Sequence, residues 1–177
     1  MRSTEFRRLC RRAAFTWLTF VASTFPLLAA APRFTQPDAV RHPNLFVWTD
    51  TCNVQVIREG DAALLINLGD GSVLDHLVEI GINRVEWVLF THHHREQCQG
   101  APKLQGRNVK LAAPEAERAL FENPTSFRKM NVRLGDAFTV HGSSFVRPPV
   151  EPIKLDQTFA KMDTFTWRGR EFRCVDT

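Results

Sequence analysis

Val85-Glu86-Trp87-Val88-Leu89-Phe90-Thr91-His92-His93-His94-Arg95-Glu96-Gln97 is the stretch on which the reading of this chain turns. It begins as a run of β-branched, aliphatic and aromatic residues, the composition of a strand buried on both faces. It then passes directly into three histidines, an arginine, a glutamate and a glutamine. In an extended segment side chains alternate in direction, so His92 and His94 are expected on one side and His93 on the other. Two imidazoles at the mouth of a rigid strand make a good start for a divalent metal site. Glu96 continues the alternation and can add a carboxylate oxygen. The plainer alternative is an exposed polar loop that closes a strand, and three adjacent histidines weigh against it.

The residues before this stretch repeat the strand pattern. Leu45-Phe46-Val47-Trp48, Asn53-Val54-Gln55-Val56-Ile57 and Ala62-Ala63-Leu64-Leu65-Ile66-Asn67-Leu68 read as strands, with Glu59-Gly60-Asp61 as the turn between the second and third. Ser72-Val73-Leu74-Asp75 has the spacing of a capping box, which predicts a helix from Val73. Val73, Leu74, Leu77 and Val78 give that helix its apolar face, and Gly81 is placed to end it. Beyond the histidines, Val109–Ala113 reads as a short strand and Pro114–Phe121 as a helix with proline first and acids in its first turn. Asn123-Pro124 is placed to end that helix. The stretch from Phe127 to Gln157 resists assignment; Phe138-Thr139-Val140-His141 fits an edge strand better than a core helix. Thr164–Trp167 and Arg170–Val175, joined at Arg168-Gly169, read as a hairpin.

Thr91-His92-His93-His94-Arg95-Glu96-Gln97 resembles the Thr-His-x-His-x-Asp-His signature of the metallo-β-lactamase-fold hydrolases. Both histidines of the first pair are present, while Glu96 stands for the Asp and Gln97 for the last His. The resemblance implies an α/β (α+β) fold, an αββα sandwich, spanning residues 45–177. It implies that His92 and His94 hold a first metal ion, and that Glu96 and Gln97 occupy the places that serve a second. The site residues expected on this basis are His92, His94, Glu96 and Gln97 as metal ligands, with Glu96 also the candidate base. Many members carry Asp where this chain has Asn67, which keeps the size and loses the charge; a plain turn residue is an equal reading of Asn67. Cys174-Val175-Asp176-Thr177 resembles the strand that in this family runs into a Pro-Gly-His turn. The expectation is therefore that the sequence is the N-terminal part of a longer protein, whose domain is incomplete at its C-terminus.

Composition narrows the partners. The hydrophobic share of 44% and charged share of 24% are those of an ordinary globular domain. The net charge of +4 lies in residues 1–31, which hold five arginines and one glutamate; beyond them 18 basic and 18 acidic residues cancel. Nucleic-acid binding by the domain loses its main support. Arg7, Arg8, Arg11 and Arg12 precede an apolar stretch, Ala13 to Ala31, that ends in small residues, the pattern of an export signal. Residues 1–31 are read as a signal peptide, or as a membrane anchor through residues 13–31, and 32–44 as a linker. The expected location is periplasmic or extracellular, with membrane association only through that segment. Outside it lie Cys52, Cys98 and Cys174, an odd number that leaves at least one free thiol. Cys98 is expected to pack as a small apolar residue.

The chemistry these residues permit is hydrolysis of a small-molecule ester, thioester, amide or phosphoester at one or two divalent ions, with zinc the expected metal. Gln97 offers only a neutral amide oxygen, a poorer zinc ligand than imidazole and never a base. The alternative is a non-catalytic binding or scaffold module that keeps the fold with a degenerate or incomplete metal site.

Overall fold

The run from Val85 forms a strand because its side chains fill both sides of a sheet. In the computed structural model, which describes residues 34–128 and 147–175, that strand belongs to a seven-stranded mixed sheet. Its members are β1 (Phe34–Thr35), β2 (Leu45–Thr49), β3 (Asn53–Glu59), β4 (Ala62–Ile66), β5 (Arg84–Leu89), β6 (Lys110–Pro114) and β7 (Gln157–Phe159). They lie side by side in chain order. Neighbours from β1 to β4 are antiparallel, and those from β4 to β7 are parallel. A separate antiparallel pair, β8 (Thr164–Trp167) and β9 (Arg170–Arg173), forms the second sheet. Its turn residues Arg168 and Gly169 both have positive φ, 49° and 79°, the backbone of a two-residue hairpin loop that matches strand twist.

Two apolar layers follow from the pleat. Val54, Val56, Ala63, Leu65, Val85 and Val88 join Leu74, Leu77 and Phe121 in the larger core. Ala62, Leu64 and Ala112, on the other face, pack with Phe159, Phe165 and Trp167. The sheet is thus covered by helical turns on one side and by the β8–β9 pair on the other. Val85 and Val88 share a face although three apart, because the register against β4 passes from Ala63↔Val85 to Leu64↔Trp87. Glu86 is the extra residue, a bulge that restores the pairing and turns its carboxylate outward.

That carboxylate ties the second sheet down. Its oxygens accept from Trp167 Nε1 at 2.8 Å and Arg168 Nε at 2.9 Å. They also accept from Arg168 Nη2 at 2.6 Å and Arg84 Nε at 3.1 Å. Arg168 first, with Trp167 and Arg84 adding to it against the cost of burial, holds the Glu86 pKa down to about 2. A carboxyl whose folded pKa lies below its unfolded value contributes stability above the unfolded value and loses it as pH falls through the folded one. The stability difference between wild type and Glu86→Gln should therefore be full above about pH 4.5, shrink below it and vanish near pH 2. Urea unfolding at stepped pH checks this; a difference that stays constant down to pH 2 would remove the pairing as its cause.

Several expectations change in the folded chain. The helix read from Val73 is two 3-10 turns, Ser72–Asp75 and Leu77–Ile80, separated at His76. No capping box forms, because the Ser72 hydroxyl is used elsewhere: it accepts from Trp48 Nε1 at 3.1 Å and donates to Asp50 at 3.3 Å. Val78, counted on the apolar face, is 69% exposed. Pro114 ends β6, and the helix after it divides into a 3-10 turn, Glu115–Glu117, and α2 (Arg118–Glu122). Pro124 then begins another helix, α3 (Pro124–Arg128). Residues 34–35, inside the stretch read as a linker, pair with β2, and the Phe34 ring lies 5.1 Å from Trp48. β7, three residues long, carries no alternation that the sequence could reveal. Cys52, Cys98 and Cys174 are free thiols, and Cys98 is fully buried, which pushes its pKa up to about 12. The export-signal reading of residues 1–31 and the strand reading of Phe138–His141 fall outside the described residues. Among the described residues no helix is long and apolar enough to cross a membrane.

Candidate metal centre

The parallel strands β4, β5 and β6 end on one edge of the sheet, and the segments leaving them meet there. In parallel sheets this carboxyl edge is where ligands bind. Asn67 leaves β4 in the left-handed conformation, φ 63°, and is only 6% exposed. An Asn tolerates that backbone better than most side chains. Its own N–H goes to the Leu89 carbonyl at 2.9 Å, which holds it against the end of β5. Leu68 and Gly69 then donate to the Gln97 carbonyl at 2.8 and 3.2 Å. The loop after β4 is in this way stitched to α1 (Arg95–Cys98), which follows the histidines.

Asn67 also decides the state of the first histidine. Its Oδ1 lies 3.0 Å from Thr91 N and 3.1 Å from Thr91 Oγ1. A backbone N–H can only donate, so the amide atom facing it is the oxygen. The Thr91 hydroxyl proton then also goes to that oxygen, leaving Oγ1 to accept from His92 Nδ1 at 2.9 Å. His92 therefore carries its proton on Nδ1 and presents the Nε2 lone pair, the atom a metal ion takes. Burial first, and His94 beside it, hold the His92 pKa below the ordinary imidazole value, so the neutral form is the resident one at neutral pH.

The histidine rings are distributed unequally. His92 and His94 have centroids 4.6 Å apart. Two imidazoles bound through nitrogen to one tetrahedral zinc are separated by roughly 5 Å between centroids. His92 and His93 are 6.4 Å apart, beyond that spacing. His93 lies 4.9 Å from His94 but is taken up by the segment after β6. Its backbone N–H donates to Glu117 Oε2 at 2.9 Å, and its ring Nδ1 makes a short hydrogen bond to the same oxygen. The His93 Nε2 is buried without a hydrogen-bond partner among the described residues, and an ordered water or ion is the usual companion of such an atom.

Glu96 and Gln97 are placed differently from the histidine pair. Glu96 Oε1 is 2.6 Å from Arg147 Nη1, and Arg95 donates its N–H to the Arg147 carbonyl at 2.7 Å. Its own backbone N–H first, and then Arg147, hold the Glu96 pKa below the usual glutamate value. Glu96 is a resident anion and a weak base. Gln97 contributes its carbonyl to the loop after β4. The structure thus brings His92 and His94 together and leaves Glu96 with Arg147; among the described residues no three His, Cys, Asp or Glu side chains gather as a metal-holding group. Two imidazoles, one with its lone pair set, fit part of a zinc coordination sphere. Thr91 was read from the sequence only as the first residue of the motif, and Glu117 and Arg147 were not singled out. Glu117 and Arg147 are ordinary charged residues 24 and 51 positions from their partners, and no local pattern marks them.

The same architecture occurs in known proteins. The metallo-β-lactamase of Cronobacter sakazakii, as a HARLDQ motif mutant, superposes with a TM-score of 0.58 at 17% identity, over 80% of this chain and 54% of that one. The subclass B3 metallo-β-lactamase BJP-1 of Bradyrhizobium japonicum gives 0.55 at 18% identity, over 75% and 48%. The chain has the metallo-β-lactamase fold. The di-zinc class B3 enzyme LRA-12 from an Alaskan soil metagenome shares it, with a TM-score of 0.54 and 21% identity. By sequence, 76 residues are 34% identical to the hydroxyacylglutathione hydrolase of Stenotrophomonas maltophilia, covering 42% of this chain and 30% of that protein. No family profile matches the chain. The metallo-β-lactamase fold is represented here over about half the length of those solved structures.

Proposed function

We propose that this chain carries the ligand loop of a metal-dependent hydrolase acting on a small-molecule ester, thioester, amide or phosphoester. The observation that carries the reading is the hydrogen-bond chain Asn67–Thr91–His92, which engages His92 Nδ1 and leaves Nε2 as the ligand atom, with the His92 and His94 ring centroids 4.6 Å apart. His92 and His94 would hold one ion. The chemistry a divalent ion supplies at such imidazoles is a lower water pKa and a polarised substrate oxygen. Thr91 keeps His92 in the binding tautomer, and Glu96, ionised and braced by Arg147, adds negative charge near the loop. The similarity to a hydroxyacylglutathione hydrolase and to a di-zinc enzyme supports this class of chemistry. The HARLDQ motif named for the Cronobacter protein has His first, an acid fifth and Gln sixth. His92, Glu96 and Gln97 follow the same order of residue types, so Gln in the last place is compatible with this fold.

The test is a zinc titration of the whole chain by calorimetry, followed by hydrolysis of 4-nitrophenyl esters and phosphoesters. Zinc should bind weakly, since two imidazoles are fewer than the usual four ligands. Outer partners of metal-bound histidines are worth roughly 10–100-fold in affinity, so losing a ligand in His92→Ala or His94→Ala should cost at least about 100-fold. Thr91→Val, which removes only the hydroxyl, should cost on the order of tenfold. His93→Ala, whose ring is turned to Glu117, should keep most of the binding. Equal losses in His92→Ala and His93→Ala would overturn the ligand assignment. A folded wild-type chain with no zinc affinity would favour a binding module instead.

A further inference from the structure

A cavity of about 350 Å³ opens along the same carboxyl edge of the sheet. Its walls are Ile66, Leu89, Pro114 and Phe159, the last residues of β4 to β7, together with Phe172 of β9 and Val175 just beyond that strand. Thr91, which hydrogen-bonds His92, is part of the same lining, so the cavity adjoins the candidate metal centre. The charged side chains that line it among the described residues, Lys161 and Arg173, are both cationic. Arg173 is exposed and has no ion-pair partner among the described residues. Aliphatic and aromatic walls favour an apolar body, because burying it removes apolar surface from water. A guanidinium in the lining with no ion-pair partner among the described residues favours an anion, which it can bind in bidentate fashion.

We propose that this cavity is the acyl subsite of the hydrolase: it takes an apolar acyl chain that carries an anionic group, the chain against Leu89 and Phe159 and the anion at Arg173. This deepens the hydrolase reading and rests on it for the word substrate. The binding event needs neither metal nor turnover, so it can be tested separately.

The probe is octanoate, titrated into the full metal-free chain and followed by amide NMR shifts, with butanoate, octanol and octylammonium as comparators. Octanoate should shift the amides of Leu89, Phe159 and Arg173 and bind at least tenfold more tightly than each of the three. Arg173→Gln should erase the preference for octanoate over octanol while leaving octanol binding unchanged. A second readout is independent of that variant. Cys174 lines the cavity and is a free thiol, so octanoate should slow its alkylation by iodoacetamide severalfold, and butanoate should not. Equal binding of octanoate and octanol, an unaltered preference in Arg173→Gln, or an unprotected Cys174 would each overturn the assignment. If octanoate binds as described while His92→Ala leaves zinc binding untouched, the metal reading alone fails; if zinc behaves as expected and octanoate does not bind, the subsite alone fails.

Discussion

Asn67→Val is expected to lower the unfolding free energy by about 3 kcal/mol or more, read as a shift of the urea midpoint. Asn67 Oδ1 accepts both the N–H and the hydroxyl of Thr91. Valine removes that acceptor and leaves a partly buried backbone donor without a partner, which costs about 1–3 kcal/mol. It also places a β-branched side chain at φ 63°, in a conformation that L residues enter at about 1–2 kcal/mol and branched ones at more. The control substitutions separate the two causes. Asn67→Asp keeps the acceptor and most of the tolerance for this backbone, so it should cost under about 1 kcal/mol. Asn67→Gly keeps the backbone and loses the acceptor, so it should fall between the other two. If Asn67→Gly is as stable as wild type, the hydrogen bonds to Thr91 do not matter to the fold. The same series should follow zinc affinity, since Thr91 loses the partner that sets the His92 tautomer.

Gly100→Ala should be nearly as damaging, for a reason that no side-chain hydrogen bond explains. A Cβ at position 100 would stand 2.4 Å from Gly71 N, 2.6 Å from Gly71 Cα and 2.7 Å from Asp70 C. These are backbone atoms, and they cannot rotate away. The two segments are held at this distance because Gly100 donates its N–H to the Gly69 carbonyl at 2.8 Å. Gly71 N is itself bonded to the Leu68 carbonyl at 2.9 Å, so the loop after β4 cannot retreat without losing its own turn. Overpacking of this kind costs about 1–3 kcal/mol and sometimes more, and the upper end is expected where backbone meets backbone. Gly106 makes the comparison clean: its added Cβ meets nothing within 4 Å, although its φ of +77° brings strain of its own. Gly100→Ala should cost more than Gly106→Ala in thermal unfolding, and the reverse order would show that the loop can move.

The strands were legible because their chemistry is local. Leu45–Thr49, Asn53–Glu59, Ala62–Ile66 and Arg84–Leu89 are dense in β-branched and aromatic residues, with Gly60 and Arg168-Gly169 marking the turns between hairpin strands. The helices were less legible. Ser72 has the capping-box spacing, yet its hydroxyl answers to Trp48 and Asp50, which are more than twenty residues away. A cap depends on what else competes for the hydroxyl, and sequence spacing does not record that competition. The bulge at Glu86 was invisible for a similar reason. Register belongs to two strands at once, and only the pairing with β4 shows that one residue is extra.

By itself the sequence determined where β2 to β6 and the β8–β9 hairpin lie, the rigid strand behind the histidines, and the resemblance carried by Thr91-His92-x-His94. Those properties rest on backbone preference and on the alternation of adjacent side chains, which act over a few residues. The tertiary structure decided what the polar groups of the site do. It placed Asn67 under Thr91 and so chose the proton position on His92, it turned His93 to Glu117, and it set Arg147 on Glu96. Each of these is a pairing of donors and acceptors across 24 to 51 residues. Such pairings form only when the ends of parallel strands are brought to one edge, because a polar group buried there must find its partner among whatever the fold places nearby.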